Sequence, residues 1–162
     1  MFTKIYWLEE FATGARLGIM PRPRGDDWLE GEVANWANRG VQVVVSLLEK
    51  PEIDELGLRN EEVHCKRHQL DFILFPIRDR GLPSDPQAVS YLILDLRTKL
   101  DQGRSIVIHC RMGIGRSSII AGAVLLDNGL TAEGMLFHIS TIRALPVPDT
   151  NAQKQWLRQW ER

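Results

Sequence analysis

The sequence predicts an α/β fold, a single domain over residues 1–162 with a mainly parallel central sheet flanked by helices on both faces. Three observations predict it. Apolar, β-branched runs alternate along the chain with segments of helical period. Val41 to Leu48 is a β-branched run of the kind found in a central strand covered on both sides. Ile106-Val107-Ile108 runs straight into a glycine-containing loop and then a helical pattern, and in such sheets ligands bind at the carboxyl ends of strands.

In chain order, Tyr6 to Leu8 and Arg16 to Met20 read as short strands joined by the Ala12-Thr13-Gly14 turn, and Pro21 to Gly25 as a loop. Asp26 or Asp27 then caps a helix with Leu29, Val33, Trp36 and Ala37 on one face, ended by Gly40. The Val41–Leu48 strand follows, then a helix over Glu61 to His68. Asp71 to Phe75 is a strand stopped by Pro76. Ser84, Asp85, Pro86 and Gln87 form a helix start with a capping-box pattern and proline in the first turn, opening a helix over Gln87 to Leu100. Ser105 to His109 is the next strand and Ser117 to Asn128 the helix after the loop. Helices over Thr131 to Arg143 and Thr150 to Trp160 complete the chain. Trp28, Trp36, Trp156 and Trp160, at near-helical intervals, are read as core or interface residues.

The loop between strand and helix carries the chemistry. Its residues are His109, Cys110, Arg111, Met112, Gly113, Ile114, Gly115, Arg116 and Ser117. A loop of successive backbone N–H groups at a helix N-terminus binds phosphate-like anions. A cysteine at its centre has its thiolate stabilised, so nucleophile and anion site coincide. Gly113 and Gly115 allow positive φ or close approach of the backbone. Arg116 offers a planar fork to two phosphate oxygens, and Ser117 lies near enough to donate a hydroxyl to the Cys110 sulfur when it leaves.

His109 to Ser117 resembles the His-Cys-x5-Arg-Ser/Thr signature of the cysteine-dependent protein tyrosine and dual-specificity phosphatases. Most of the chain, from Arg16-Leu17-Gly18-Ile19-Met20-Pro21 onward, is similar to a short atypical dual-specificity phosphatase. The resemblance implies a cysteinyl-phosphate intermediate, a loop aspartate as general acid and no metal or other cofactor. The family's Pro-x-x-Asp loop matches Pro76 to Asp79, which makes Asp79 the implied acid. Asp85, the competing carboxylate, is assigned to the helix start. His109 is implied to orient the loop and help hold the thiolate by hydrogen bonding. Asp149 to Gln153 resembles the segment in which a glutamine positions the hydrolytic water; Thr150 and Gln153 equally make a capping box for the last helix.

Hydrophobic residues make up 44% and charged residues 25% of the chain, with a net charge of −1. No global field draws such a chain to nucleic acid or to an acidic membrane, and no apolar stretch reaches membrane-spanning length. Arg78, Arg80, Arg111 and Arg116 give the site local cationic character, with Arg78 and Arg80 read either as site cations or as solvated loop charges. Two cysteines, Cys65 and Cys110, are too few for a disulfide framework, and a reactive thiolate needs a reducing compartment. Met1 to Phe11, with Lys4, Glu9 and Glu10, does not read as a signal peptide. The expectation is a cytoplasmic monomer. His64, His68 and His138 have no ligand partners at metal-site spacing and are read as surface or packing residues.

The expected activity is a protein phosphatase acting on phosphotyrosine and also on phosphoserine or phosphothreonine in protein or peptide substrates. The alternatives are the same chemistry on a phosphoinositide, RNA 5′-triphosphate or glycan, or a non-catalytic phosphate-binding module. The loop lacks the lysines common in family members that act on polyanionic lipids, which ranks protein substrates first.

Overall fold

A computed structural model describes residues 1–127 and 129–162. A five-stranded sheet has the order β1-β2-β5-β3-β4, built from β1 (Tyr6–Glu10), β2 (Arg16–Met20), β3 (Val41–Ser46), β4 (Asp71–Leu74) and β5 (Ser105–His109). The β1–β2 pair is antiparallel and every other pair is parallel, as the alternation of strands and helices predicts. Among the described residues, seven α-helices surround it: α1 (Leu29–Asn38), α2 (Lys50–Glu55), α3 (Glu61–Arg67), α4 (Pro86–Asp101), α5 (Arg116–Leu125), α6 (Ala132–Arg143) and α7 (Asn151–Leu157).

Side-chain alternation along the strands divides the core in two. Leu17, Ile19, Val43, Val45, Ile106 and Ile108 point toward α4, α5, α6 and α7, joining Leu96, Ile120, Ile139 and Leu157. Met20, Val44 and Val107 point the other way, toward Leu29, Val33 and Trp36 of α1 and Cys65 of α3. The central strand β5 is buried along its whole length, so its apolar run needs no polar face.

Several boundaries differ from the sequence reading. Neither Asp26 nor Asp27 caps α1: both lie in a 3-10 turn over Asp26–Trp28, and Trp28 itself precedes the first α-helical residue without a side-chain cap. Gly40 takes φ +86°, which suits the chain reversal after α1. The long apolar run yields a strand only to Ser46, because Leu47 leaves the ladder to donate its N–H to the His109 carbonyl. Helix α2 was not anticipated. It is shorter than two turns and shows no readable period, yet Glu49 and Glu52 form a capping box with Pro51 in the first turn.

At α4 the cap is Asp85 rather than Ser84; its carboxylate accepts from the N–H groups of Gln87 and Ala88 at 3.0 and 3.1 Å. Helix α5 ends at Leu125, and the expected final residue Asn128 lies outside the described residues. The last expected helix divides into α7 and a 3-10 turn over Arg158–Trp160. Trp36 is fully buried, but Trp28 is 61% exposed, with the Arg24 guanidinium 4.7 Å from its ring centre.

Candidate active site

Because β3, β4 and β5 are parallel, the segments following them emerge at the same sheet edge. The segment after β3 leads into α2, the one after β4 holds Asp79, and the one after β5 is the Cys110 loop. Arg116, first residue of α5 and only 1% exposed, is where they meet. Its Nη1 donates to Glu52 Oε1 and to the Ile77 carbonyl, both at 2.8 Å. Its Nη2 donates to Glu52 Oε2 at 2.9 Å and to Asp79 Oδ1 at 3.2 Å. The guanidinium is thus fixed edge-on by a bidentate carboxylate, the strong geometry for such a pair.

The loop backbone is shaped by groups outside it that bind its carbonyls. The His109 carbonyl accepts from Leu47 N and the Arg111 carbonyl from Arg22 N, each at 3.0 Å. Arg143, at the end of α6, donates from Nε to the Gly113 carbonyl at 2.9 Å and from Nη2 to the Met112 carbonyl at 3.1 Å. Its guanidinium also lies 4.1 Å from the Tyr6 ring centre. With these carbonyls held outward, the peptide planes direct their N–H groups into the loop. Among the described residues, the amides of residues 111–115 donate to no protein group. Successive backbone amides without an acceptor are the donors from which an anion cradle is built.

The two glycines are constrained in different ways, and only Gly113 has the positive φ that the sequence reading offered. Gly113 takes φ +69°, and a Cβ there would lie 2.7 Å from the Met20 and Pro21 backbone. Gly115 has an ordinary φ of −92°; there the constraint is space, since a Cβ would collide with the Asp149 carboxylate. Ile114 packs on the core, while the Met112 side chain is 61% exposed. Arg111 leans outward to Glu55, with N–O distances of 3.3 and 3.5 Å.

Cys110 is buried, with its Sγ 3.3 Å from Ser117 Oγ. His109 is fully enclosed, its Nε2 2.7 Å from Glu61 Oε2 and its Nδ1 3.4 Å from the Cys110 carbonyl. Gln153 is also fully buried. Its Oε1 accepts from Asp149 N and Thr150 N, completing the capping box, and its Nε2 donates to the Gly81 carbonyl at 3.1 Å. That last bond ties the Asp79 loop to α7, and 3.0 Å separates the same Oε1 from where a Cβ on Gly115 would sit. All the expected site residues except the outward Arg111 and Met112 side chains therefore gather at this edge.

Sequence reasoning missed Glu52, Glu61, Glu55 and Arg143. Only Glu52 carried a signal, the Glu49-x-x-Glu52 spacing with Pro51, and that signal spoke of a helix start.

Electrostatics follow from these partners. Burial alone would raise the Glu52 carboxyl, but the Arg116 hydrogen bonds, the Glu49 N–H and the charges of Arg116 and Arg111 outweigh it and hold it below its ordinary value. Burial alone would weaken the Arg116 charge; Glu52, Cys110 and Asp79 reverse this and raise its proton affinity. Burial, reinforced by Glu61 and Glu62, pushes the Cys65 thiol well up, which leaves it a neutral packing group. Among the described residues no three His, Cys, Asp or Glu side chains are grouped to hold a metal ion. A cavity of about 630 Å³ bounded by Asp26, Asp27, Glu30, Asp54, Arg59 and His64 draws on none of the loop residues.

Comparisons with known proteins accord with this geometry. The sequence model of the family described as "Polymorphic toxin system, DSP-PTPase phosphatase" (Tc-R-P) matches residues 19–130. The chain belongs to this family of cysteine-dependent phosphatases, in the protein-tyrosine and dual-specificity class. No curated protein matches it. Among solved structures it is similar to kinase associated phosphatase (KAP) bearing a serine in place of its catalytic-site cysteine. That match has 20% identity and a TM-score of 0.88, over 99% of this chain and 94% of that one. Tk-PTP in its active form is 22% identical with a TM-score of 0.76, over 96% of both chains. PTPMT1 in complex with PI(5)P is 16% identical with a TM-score of 0.71, over 96% of this chain and 94% of that one. These likenesses establish the dual-specificity phosphatase-like fold. Among the described residues, no helix is long and apolar enough to cross a membrane.

Proposed function

We propose that the chain hydrolyses single phosphomonoesters on proteins or peptides, phosphotyrosine and also phosphoserine or phosphothreonine, through a cysteinyl-phosphate intermediate. The observation that carries this reading is the convergence of Cys110, Ser117, Arg116 and Asp79 on one loop whose carbonyls are tied outward. Cys110 Sγ attacks phosphorus as the bond to the leaving oxygen breaks. The amides of residues 111–115 and Arg116 hold the equatorial oxygens, where negative charge is spread in the transition state. Asp79 gives its proton to the leaving oxygen. It then takes a proton from the water that attacks phosphorus, and the Ser117 hydroxyl stabilises the departing sulfur.

Asp79 pairs with Arg116 Nη2 at 3.2 Å, and its side chain is 54% exposed. A phosphate bound at Arg116 replaces that contact and leaves the Asp79 carboxyl facing the leaving oxygen. His109 and Gln153 act by bracing: one holds the base of the loop, the other fixes the Asp79 loop against α7. Because both Gln153 amide atoms are committed to backbone groups, bracing accounts for its place better than positioning of water.

Substrate class follows from charge. Arg116 is matched by Glu52 and Asp79, and Arg111 by Glu55. One phosphate in the loop is well supported, whereas further phosphates face the carboxylates of α2, and both arginines of the Cys110 loop already have carboxylate partners. A phosphoinositide is the second reading, favoured by the PI(5)P complex of PTPMT1, and a singly phosphorylated one is the form this charge pattern tolerates. The thiolate chemistry suits the reducing cytoplasm, and no step requires a second subunit. The test is a panel of phosphopeptides, mono- and polyphosphorylated inositol lipids and RNA 5′-triphosphate, each with wild-type protein and Cys110→Ser. Highest kcat/KM on phosphopeptides, abolished in Cys110→Ser, supports the reading. A polyphosphorylated substrate far ahead of all others overturns the substrate assignment.

A further inference from the structure

Arg78 and Arg80 flank Asp79, the acid of the proposed reaction, and both are exposed. The segment that carries them is tied down on either side. The Ile77 N–H donates to the Leu47 carbonyl at 3.0 Å, and the Ile77 carbonyl accepts from Arg116 Nη1 at 2.8 Å. The Gly81 N–H closes a turn on the Arg78 carbonyl at 2.8 Å, and the Gly81 carbonyl accepts from Gln153 Nε2 at 3.1 Å. Inside that turn Arg80 takes φ +60°, a left-handed backbone that glycine adopts more readily. A fixed turn therefore holds two cationic side chains next to the acid.

Neither guanidinium has a partner in the protein: among the described residues, no hydrogen bond or ion pair reaches it. The carboxylates of the same segment are committed elsewhere. Asp79 pairs with Arg116 Nη2 at 3.2 Å, and Asp85 accepts from the first N–H groups of α4. By contrast Arg111, Arg116 and Arg143 all bind carboxylates or loop carbonyls.

Unmatched negative charge lies on the other side of the site. The segment after β2 joins the Cys110 loop where Arg22 N donates to the Arg111 carbonyl at 3.0 Å. It then presents Asp26, Asp27 and Glu30, all exposed, which line the cavity of about 630 Å³. None of the three has a cationic partner among the described residues, and Arg59 in the same cavity is held by Asp54 at 2.8 Å. Leu29, beside these carboxylates, is buried in the core on the α1 side of the sheet, whereas Ile77, beside Arg78, is buried in the core on the α4 side. The surroundings of the loop are thus cationic toward α4 and anionic toward α1.

We infer that Arg78 and Arg80 are specificity-determining residues that take a carboxylate side chain adjoining the phosphoresidue, on the one flank of the peptide that crosses the Asp79 turn. This rests on the reading of the chain as a phosphopeptide phosphatase. With its phosphate at Arg116, a peptide passes the Asp79 carboxyl, and the next side chain on that flank meets two permanently charged guanidinium groups. The opposite flank faces Asp26, Asp27 and Glu30, which repel the same carboxylate.

The test is kcat/KM at low ionic strength on three phosphotyrosyl peptides: one with uncharged flanks, one with glutamates before the phosphoresidue and one with glutamates after it. One acidic peptide should exceed the uncharged one by about fivefold, the scale of exposed charge pairs, and the other should fall below it. Added salt should erase the gain. In the double variant Arg78→Gln, Arg80→Gln the ratio of the favoured peptide to the uncharged one should return to about one. Each ratio is taken within one protein, so a change in the chemical step cancels. Arg80→Gly, which suits the left-handed backbone, should lower the gain on its own and serves if the double variant does not fold. No gain on either flank, an equal gain on both, or a gain that persists in the variants overturns the inference and leaves the phosphatase reading standing. Hydrolysis of inositol lipids with no turnover of any phosphopeptide refutes that reading, and the inference with it.

Discussion

Replacing Glu52 by glutamine probes what makes Arg116 a usable phosphate ligand. Glu52 is 9% exposed and grips both Nη atoms at 2.8 and 2.9 Å, while its Oε1 also accepts from Glu49 N at 3.1 Å. Removing one partner of a buried pair costs about 3–5 kcal/mol. Glutamine keeps one acceptor oxygen and Arg116 keeps the Ile77 carbonyl, so a loss near the lower bound, about 3 kcal/mol, is expected in urea unfolding. A domain with the usual stability of roughly 5–15 kcal/mol stays folded after that loss. Misplacement of the fork should lower kcat by about 100-fold. KM should hold or fall, because one carboxylate near the phosphate has lost its charge.

Glu55→Gln is the matched control. Its pair with Arg111 is solvent-exposed, with side chains 65% and 34% accessible, and exposed pairs contribute under about 1 kcal/mol. The pH dependence has a definite sign. The Glu52 carboxyl is lowered in the folded state, so its contribution is complete above the ordinary glutamate range and is lost as pH falls through the folded-state value. The stability gap between wild type and Glu52→Gln should therefore narrow on acidification. A Glu52→Gln protein within about 0.5 kcal/mol of wild type with unchanged kcat would refute the claim that Glu52 holds Arg116.

Arg143→Met keeps the aliphatic bulk but releases the Met112 and Gly113 carbonyls; about 2 kcal/mol of stability and at least tenfold in kcat should go, measured by urea unfolding and steady-state kinetics. Asp79→Asn should slow phosphotyrosyl peptides strongly and aryl phosphates with acidic phenols much less, whereas Asp85→Asn, a conservative change at the α4 cap, should leave both rates intact. Peroxide should inactivate the enzyme reversibly without a Cys65–Cys110 disulfide. The two thiols belong to opposite core clusters, and mass spectrometry of the oxidised protein checks this.

What the sequence disclosed of the site was the part contained in short contiguous stretches. Cys110 to Ser117 could be read because nucleophile, glycines, guanidinium and hydroxyl fall on one strand–loop–helix turn. Asp79 could be read because prolines frame its loop after a strand. The parallel sheet was readable from Val41–Ser46 and Ser105–His109, whose uninterrupted apolar character requires cover on both faces.

Glu52, Glu61 and Arg143 were illegible for one physical reason. Each meets the site across a long sequence gap: 64 residues from Glu52 to Arg116, 48 from Glu61 to His109 and 30 from Arg143 to Gly113. On a short helix a glutamate looks like a solvated surface charge until the strand pairing brings a buried cation against it. The caps of α1 escaped for a local reason: Asp26 and Asp27 are good capping types, but the chain takes a 3-10 turn there instead.

Rapid-quench trapping tests the proposed covalent phosphorylation of Cys110 most directly. Protein mixed with a ³²P-labelled phosphotyrosyl peptide and quenched in acid within milliseconds should carry label on the tryptic peptide containing Cys110. The label should be absent in Cys110→Ser and should accumulate when Asp79→Asn turns over an activated aryl phosphate, because that variant lacks the base for hydrolysis. Full turnover with no protein-bound phosphate at any quench time, or label on another residue, would contradict the account.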